Sequence, residues 1–302
     1  GSGQLAQMTL APAAALGIDF ITLANSSNDS AAQSSPHVVG DYRDIDAVRA
    51  FAKACDIVTF EHELIPLSIV KTLEAEGIKF SPSSGAFKYS QDKALMREKL
   101  AHLPNPKWQV ITEAVDWEYP AIAKAISGGY DGRGVWKLDS KSDLEKLLKE
   151  VPKLILEELV DFDFEIAVMV ARSPHGQAAT WSPTRTVQRD GICIETVTPV
   201  PEFNEAQSQA AQDLALRIAD EINLVGVMAV DGDDHGVAVG ARARVGVIDG
   251  KRAAGGAKVR ERRAAERRVL RREHEVADVR DVLPGAHAHV DLAGGRVDAD
   301  LA

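Results

Sequence analysis

The sequence predicts an α/β protein of more than one packed unit, and three observations predict it. Residues 1 to about 90 alternate apolar runs of strand length with amphipathic stretches of helix length. Further on, Lys124 ends a short apolar run (Tyr119 to Lys124), four glycines follow within residues 128–134, and a second apolar run (Val135 to Leu138) comes next. Later β-like segments flank a long helical stretch, Glu205 to Ile222. At 302 residues the chain has room for two or three units.

Taken in order, a helix over Gln4 to Leu16 leads to a strand at Ile18 to Leu23, and a helix at Ile45 to Ala54 leads to a second strand, Ile57 to Phe60. A third helix, Pro66 to Glu76, leads to Ile78 to Phe80. Short links between such units imply a parallel sheet with helices on its faces. Gly17 and Gly77 stand where helix ends call for glycine. A helix from Gln91 to Leu100 and a Pro104-Asn-Pro106 break open a small unit with the glycine loop, an amphipathic helix (Lys141 to Lys149) and a strand, Leu154 to Glu158. Long β segments follow at Phe164 to Val170 and Ile192 to Val197, the latter after a turn at Asp190-Gly191; after the long helix comes a strand, Val225 to Val230.

Composition excludes several classes. Hydrophobic content of 45% and charged content of 26% are those of a soluble globular protein. A net charge of −10 argues against a nucleic-acid partner, which needs a basic face. No apolar run approaches the ~18 residues that span a bilayer, and no basic-then-apolar leader is present, so no membrane partner is expected. Cys55 and Cys193 lie far apart without metal spacing and read as buried thiols of a cytoplasmic protein.

The stretch from Lys124 through Gly128-Gly-Tyr-Asp-Gly-Arg-Gly134 reads as strand, glycine-rich hairpin loop, strand. Lysine supplies a fixed positive charge, and glycines let backbone N–H groups approach phosphates. It is a phosphate lid rather than a P-loop, because no Gly-Lys-Ser/Thr is present and a strand, not a helix, follows. The plainer alternative is a hairpin whose glycines only satisfy turn geometry. Gly1-Ser-Gly-Gln-Leu-Ala6 also fits Gly-x-Gly-x-x-Gly/Ala. No acidic residue ends the next strand, where Leu23-Ala-Asn-Ser stands, so a phosphate-approaching turn is favoured over a dinucleotide site. The chain opens as if in the middle of that motif.

Several motifs stand in a fixed order over residues 1–230: Gly1-Ser-Gly-Gln-Leu-Ala-Gln-Met8, Thr59-Phe-Glu-His-Glu63, Gln91-Asp-Lys93, the 128–134 loop, Glu157-Glu-Leu-Val160, Phe164-Glu165, Gln188-Arg-Asp-Gly-Ile192 and Val225-Gly-Val-Met-Ala229. Together they resemble the ATP-grasp ligases, and among these most closely the 5-(carboxyamino)imidazole ribonucleotide synthases. The resemblance implies an ATP-grasp fold: a Rossmann-like pre-ATP-grasp domain at 1–90 lacking the family's first strand, a lid subdomain at 91–160, and an incomplete β-rich C-terminal subdomain at 161–230. It also implies a homodimer, ATP and Mg²⁺ as cofactors, and bicarbonate and 5-aminoimidazole ribonucleotide as substrates.

By the same resemblance, Lys93 and Lys124 neutralise the α- and β-phosphates, and Gly128, Gly129, Tyr130, Asp131, Gly132, Arg133 and Gly134 cover the β- and γ-phosphates. Glu157, Glu158, Leu159 and Val160 form the hinge at the adenine edge, Glu165 accepts from the ribose hydroxyls, and Gln188 lies near the nucleotide. Tyr130, Asp131 and Arg133 hold imidazole and bicarbonate, Gln4 approaches the ribonucleotide phosphate, and Glu61 or Glu63 binds its ribose. Taken singly, each has a plainer reading: the carboxylates as solvated strand residues, Lys93 as an ordinary helix lysine.

The departure comes after Val230. All sixteen aromatics (Phe 8, Tyr 4, Trp 4) and all four methionines precede it, and Lys+Arg minus Asp+Glu is 21 − 32 = −11 before it and 14 − 13 = +1 after it. In the family a glutamate follows this strand, and a second strand bears Asn-Glu, running into an Arg-Pro-His-Asn-Ser-Gly-His loop. Here Asp231-Gly-Asp-Asp234 follows, and nothing downstream matches. Asp231 is the metal-ligand candidate, and Asp233 and Asp234 read as turn residues. Residues 231–302 read as a tail from a shifted reading frame or misjoined end, largely disordered, with a solvated charged helix as the alternative. The chain is expected to be severely impaired as a ligase. The rival readings are a nucleotide-binding pseudoenzyme, another ATP-grasp carboxylate–amine ligase such as the formate-dependent glycinamide ribonucleotide transformylase, and a truncated product that does not fold.

Overall fold

The protein was analysed as a computed structural model that describes residues 1–128, 134–189, 192–233 and 242–244. The elements, in chain order, are α1 (Gln4–Ala15), β1 (Thr22–Ala24), β2 (His37–Val39), α2 (Ile45–Ala52), α3 (Leu67–Ala75), α4 (Ser84–Gln91), α5 (Lys93–Lys99), β3 (Trp108–Ile111), β4 (Ala121–Ala125) and β5 (Val135–Leu138). There follow α6 (Lys141–Glu150), β6 (Leu154–Glu158), β7 (Glu165–Arg172), β8 (Ala178–Thr180), β9 (Thr184–Arg189), β10 (Ile192–Val197), α7 (Glu205–Glu221), β11 (Gly226–Asp233) and β12 (Arg242–Arg244).

Local chemistry sets the helix ends. Asp44 accepts from Asp46 N at 2.9 Å and Ser140 from Asp143 N at 3.3 Å. Asn204 and Gln207 form a reciprocal capping box at the start of α7. Gly17 and Gly77 close α1 and α3 at φ 67° and 93°, in the left-handed region that favours glycine.

The N-terminal unit is more helical and less sheet-like than the sequence predicts. β1 and β2 pair in parallel, while the expected strands at 57–60 and 78–80 reduce to one parallel bridge, Val58 to Phe80. Phe60, Phe80 and Phe87 instead stack on one another, with centroids 5.6 and 4.3 Å from Phe60. The helix expected at Gln91 to Leu100 is α5, which starts at Lys93, and it is preceded by α4 (Ser84–Gln91), which the sequence does not predict. Asp92 separates the two: its backbone is extended and its carboxylate caps α5 by accepting from Leu95 N at 2.9 Å.

Two antiparallel sheets make up the remainder. The first has order β3-β6-β4-β5 and packs one face on α6, enclosing a core of Ile111, Ala121, Ala123, Leu144 and Leu156. The second runs β10-β9-β7-β11-β12, with β8 on β7. It packs Ile166, Val168, Val170, Met228 and Val230 into a larger core shared with α7 and with Val48, Val70, Leu73 and Phe87 of the N-terminal unit. Ser81 and Gly226 join these parts: Ser81 Oγ donates to Val225 O at 3.1 Å. Gly226 sits at φ 122°, and a Cβ there would overlap the Ser81 hydroxyl.

β11 continues past Val230 to Asp233, which pairs with Glu165 of β7. Asp233 is therefore a strand residue and not the turn residue predicted, because the β7 ladder extends three residues further than the apolar run. β12 pairs with β11 through Asp231 and Arg242. The expectations for Asp234 and for most of the tail fall outside the described residues. Cys55 and Cys193 are half-buried thiols, less enclosed than predicted. Among the described residues, no helix is long and apolar enough to cross a membrane.

Candidate functional site

Strand register decides which of the predicted residues meet. In the first sheet Ile122 lies opposite Glu157 and Lys124 opposite Ile155. Ala121 and Ala123 face the core beneath α6, so Ile122, Lys124, Ile155 and Glu157 share the opposite face. There Glu157 lies diagonal to Lys124, within reach of a long side chain. Lys124 Nζ donates to Glu157 Oε2, and Arg97 Nε donates to Glu157 Oε1 at 2.8 Å. Side-chain exposure is 2% for Arg97, 3% for Glu157 and 12% for Lys124, so the chain of charge runs from the interior outwards. Burial pushes the Glu157 carboxyl up, but Lys124 and Arg97 outweigh it and hold the group below its ordinary range.

Arg97 is itself fixed. Its Nη1 donates to Asn105 Oδ1 at 2.7 Å, and Asn105 Nδ2 donates to Leu100 O and Leu103 O at 2.7 and 2.9 Å. Lys93, at the start of the same helix, donates its backbone N–H to Ile126 O at 2.9 Å. That bond ties α5 to the chain two residues beyond Lys124, so the two predicted phosphate lysines come from adjoining backbone. Gly128 follows at φ 75°. Gly129, Tyr130, Asp131, Gly132 and Arg133 fall outside the described residues, and Gly134 resumes at φ 75°.

At the expected hinge, both Glu157 carboxylate oxygens are engaged, by Arg97 and Lys124, and its backbone lies within the sheet. Glu158 is exposed, but its Oε1 accepts from Lys107 N at 2.7 Å and its N–H donates to Lys107 O at 3.0 Å. Leu159 is exposed and Val160 half-buried.

In the second sheet the core takes Ile166, Val168, Met228 and Val230. The alternation therefore puts Glu165, Ala167, Ala229 and Asp231 on the face away from α7. Thr186 pairs with Glu165, which brings Gln188 to this face as well. Glu165, Gln188 and Asp231, widely separated in sequence, thus share one surface. No three His, Cys, Asp or Glu side chains gather into a possible metal site among the described residues. The carboxylates here do not fit a complete Mg²⁺ site.

At the N-terminal turn Gly3 N donates to Glu61 Oε2 at 3.0 Å, and the Glu61 carboxylate lies against Gly1 and Gly3, where a Cβ on either would strike it. Gln4 opens α1 beside it. Gln91 Nε2 donates to Glu63 O and Ile65 O, both at 2.6 Å, holding the 61–65 segment to the end of α4. Sequence reasoning missed Arg97, Asn105 and this clamp. The only local signal for Arg97 is its place four residues after Lys93, on the same helix face.

Comparison with known proteins agrees with this architecture. A family model described as a ribonucleotide synthetase preATP-grasp domain matches residues 1–91, and one described as an ATP-grasp domain matches residues 97–232. The N5-carboxyaminoimidazole ribonucleotide synthase of Mycobacterium tuberculosis is 40% identical over 245 residues, which cover 76% of this chain and 57% of that protein. The chain therefore spans less than two thirds of the length of such relatives. The Aspergillus clavatus carboxyaminoimidazole ribonucleotide synthase solved with ATP superposes with a TM-score of 0.72 at 26% identity, over 82% of this chain and 69% of that one. The Aspergillus clavatus enzyme solved with ADP and 5-aminoimidazole ribonucleotide gives 0.68 at 26% identity, over 78% and 65%. The chain thus carries a preATP-grasp domain followed by an ATP-grasp domain, and over three quarters of its length it is similar to the N5-carboxyaminoimidazole ribonucleotide synthases.

Proposed function

We propose that the chain binds ATP between its two antiparallel sheets and derives from an enzyme that carboxylates 5-aminoimidazole ribonucleotide with bicarbonate, in purine biosynthesis. The observation that carries this reading is the Lys93 N to Ile126 O bond, which holds the backbone of Lys93 against the strand that bears Lys124 and leads to Gly128. Two ammonium groups from adjoining backbone suit a polyphosphate better than a single carboxylate. Glu165 and Gln188 on the second sheet suit ribose hydroxyls, which donate and accept. By the resemblance, the 128–134 segment would serve as the lid that excludes water, and Tyr130, Asp131 and Arg133 would hold imidazole and bicarbonate. Leu159 and Val160 receive the adenine edge. Glu61 and Gln4, beside the N-terminal glycines, form the ribonucleotide side.

In the reaction so proposed, a bicarbonate oxygen attacks the γ-phosphorus and ADP leaves. The substrate amine then attacks the carbon of carboxyphosphate, inorganic phosphate leaves, and the amine gives up a proton. The protein's contribution is positioning and charge neutralisation. Mg²⁺ bound to ATP would add charge neutralisation between the phosphates. The family holds it with a glutamate after the β11 motif and an Asn-Glu on the next strand; among the described residues, this chain offers Asp231 in that region and no cluster around it. The domain division at about 90 and 160, a cytoplasmic location and a homodimer belong to the same reading.

The consequence is a nucleotide-binding chain with little or no turnover. Phosphate release from Mg·ATP and bicarbonate, with and without 5-aminoimidazole ribonucleotide, tests it. The expected result is none from the chain as it stands, and ribonucleotide-stimulated release after a Glu…Asn-Glu segment of a relative is grafted beyond Val230. Stimulated release by the unmodified chain would overturn the claim of impairment, and failure of the graft would overturn the assignment of the defect.

A further inference from the structure

We infer that Arg97 is a positioning residue for nucleotide phosphate, acting through Glu157 on Lys124; the inference rests on the nucleotide-binding reading above and deepens it.

Arg97 cannot touch a ligand itself. At 2% exposure its guanidinium is enclosed, with Nε on Glu157 and Nη1 on Asn105. Glu157 is equally enclosed and spends its second oxygen on Lys124. Lys124 is the member of the three that reaches the surface, on the strand that leads into the glycine loop. Two consequences follow from charge and geometry.

The first is electrostatic. Were Lys124 the sole partner of Glu157, the two charges would cancel and the pair would attract phosphate weakly. Because Arg97 already neutralises Glu157, the positive charge of Lys124 remains effective towards an approaching anion. The second is entropic. A lysine ammonium on a four-carbon stem has many rotamers, and fixing it costs affinity when a ligand must do the fixing. Glu157 fixes it beforehand, and Arg97, itself held by Asn105 at the end of α5, fixes Glu157. The depressed titration of the Glu157 carboxyl accords with two cations on one anion.

A purely structural ion pair would hold α5 to β6 and leave ligand discrimination unchanged. The test therefore compares ATP with adenosine, which shares base and ribose but carries no phosphate. Dissociation constants for both are measured by calorimetry on the full chain, for the unmodified protein, Arg97→Met, Arg97→Lys and the double variant Arg97→Met/Glu157→Gln. Arg97→Met is expected to weaken ATP about tenfold, about 1.4 kcal/mol, with adenosine unchanged. Arg97→Lys keeps a charge beside Glu157 and restores most of the loss. The double variant removes both buried charges, so it folds even where Arg97→Met does not. It is still expected to bind ATP more weakly than the parent, because Lys124 has lost its anchor.

Equal weakening of ATP and adenosine, an unchanged ATP constant in Arg97→Met, or parental ATP affinity in the double variant would overturn the inference and leave the nucleotide reading standing. Failure of the unmodified chain to bind ATP at all would overturn both.

Discussion

Glu157 carries two cations on one buried carboxylate, and that makes it the residue on which pH acts most directly. Its folded-state pKa lies below the ordinary glutamate value of 4.5. A group depressed on folding contributes stability that is present above its unfolded pKa and is lost as pH falls through the folded one. The contribution is therefore complete at neutral pH and disappears in the acid range below about 4.5, where protonation leaves Arg97 and Lys124 without a counter-charge. Glu157→Gln should accordingly be less stable than the parent at pH 7, by roughly 3 kcal/mol as for breaking a buried pair, with the gap narrowing towards pH 3. Urea titrations across that range measure it. A constant gap would show that the loss comes from packing rather than charge. Arg49 with Glu76 makes a useful contrast: the same chemistry at the surface, where solvent screens it and little stability is expected.

Elements were legible in the sequence where their cause is local. α6 and α7 begin at Ser140 and Asn204 because those side chains satisfy N–H groups a turn away, and both partners stand within a few residues of each other. Lys124 and the strands β4 and β5 were legible for the same reason. Glu157 was legible as a strand-end carboxylate but not as the centre of an ion triad, since its partner Arg97 lies 60 residues away. The same holds for Gln91, whose clamp reaches 28 and 26 residues back. β2 pairs with β1 across an intervening loop, and the two expected strands reduce to a single bridge beside three stacked phenylalanines, arrangements that no local pattern encodes. Two glycines separate local from non-local causes experimentally. Gly77 has φ 93°, and a Cβ added there would meet nothing within 4 Å, so Gly77→Ala should cost only backbone strain, about 1 kcal/mol. Gly226 has φ 122° and lies against Ser81, so Gly226→Ala should cost about 2–4 kcal/mol, adding overlap between β11 and the N-terminal unit to the strain. Chemical denaturation of the two variants compares them directly, and equal costs would mean that the Ser81 contact relaxes freely.

On the scale of the whole molecule, the apolar residues divide into two cores with no member in common. The larger joins Val48, Leu73 and Phe87 of the N-terminal unit to Val168, Ile218 and Met228 of the second sheet, so these parts of the chain should unfold together. The smaller lies between α6 and the first sheet, around Leu144 and Leu156, and what ties it to the rest includes polar groups: Arg97 to Glu157, and Lys93 N to Ile126 O. A unit joined in this way can open on its own, which is what a lid over a polyphosphate requires. Leu144→Ala removes a fully buried side chain from the smaller core and should cost about 2–5 kcal/mol there. In native-state hydrogen exchange, amides of β4, β5, β6 and α6 should lose protection together, while those of α3, β7 and α7 keep theirs. Loss spread evenly over both sets would mean that one cooperative core, rather than two, holds the chain together, and that any motion of the glycine loop is confined to its own few residues.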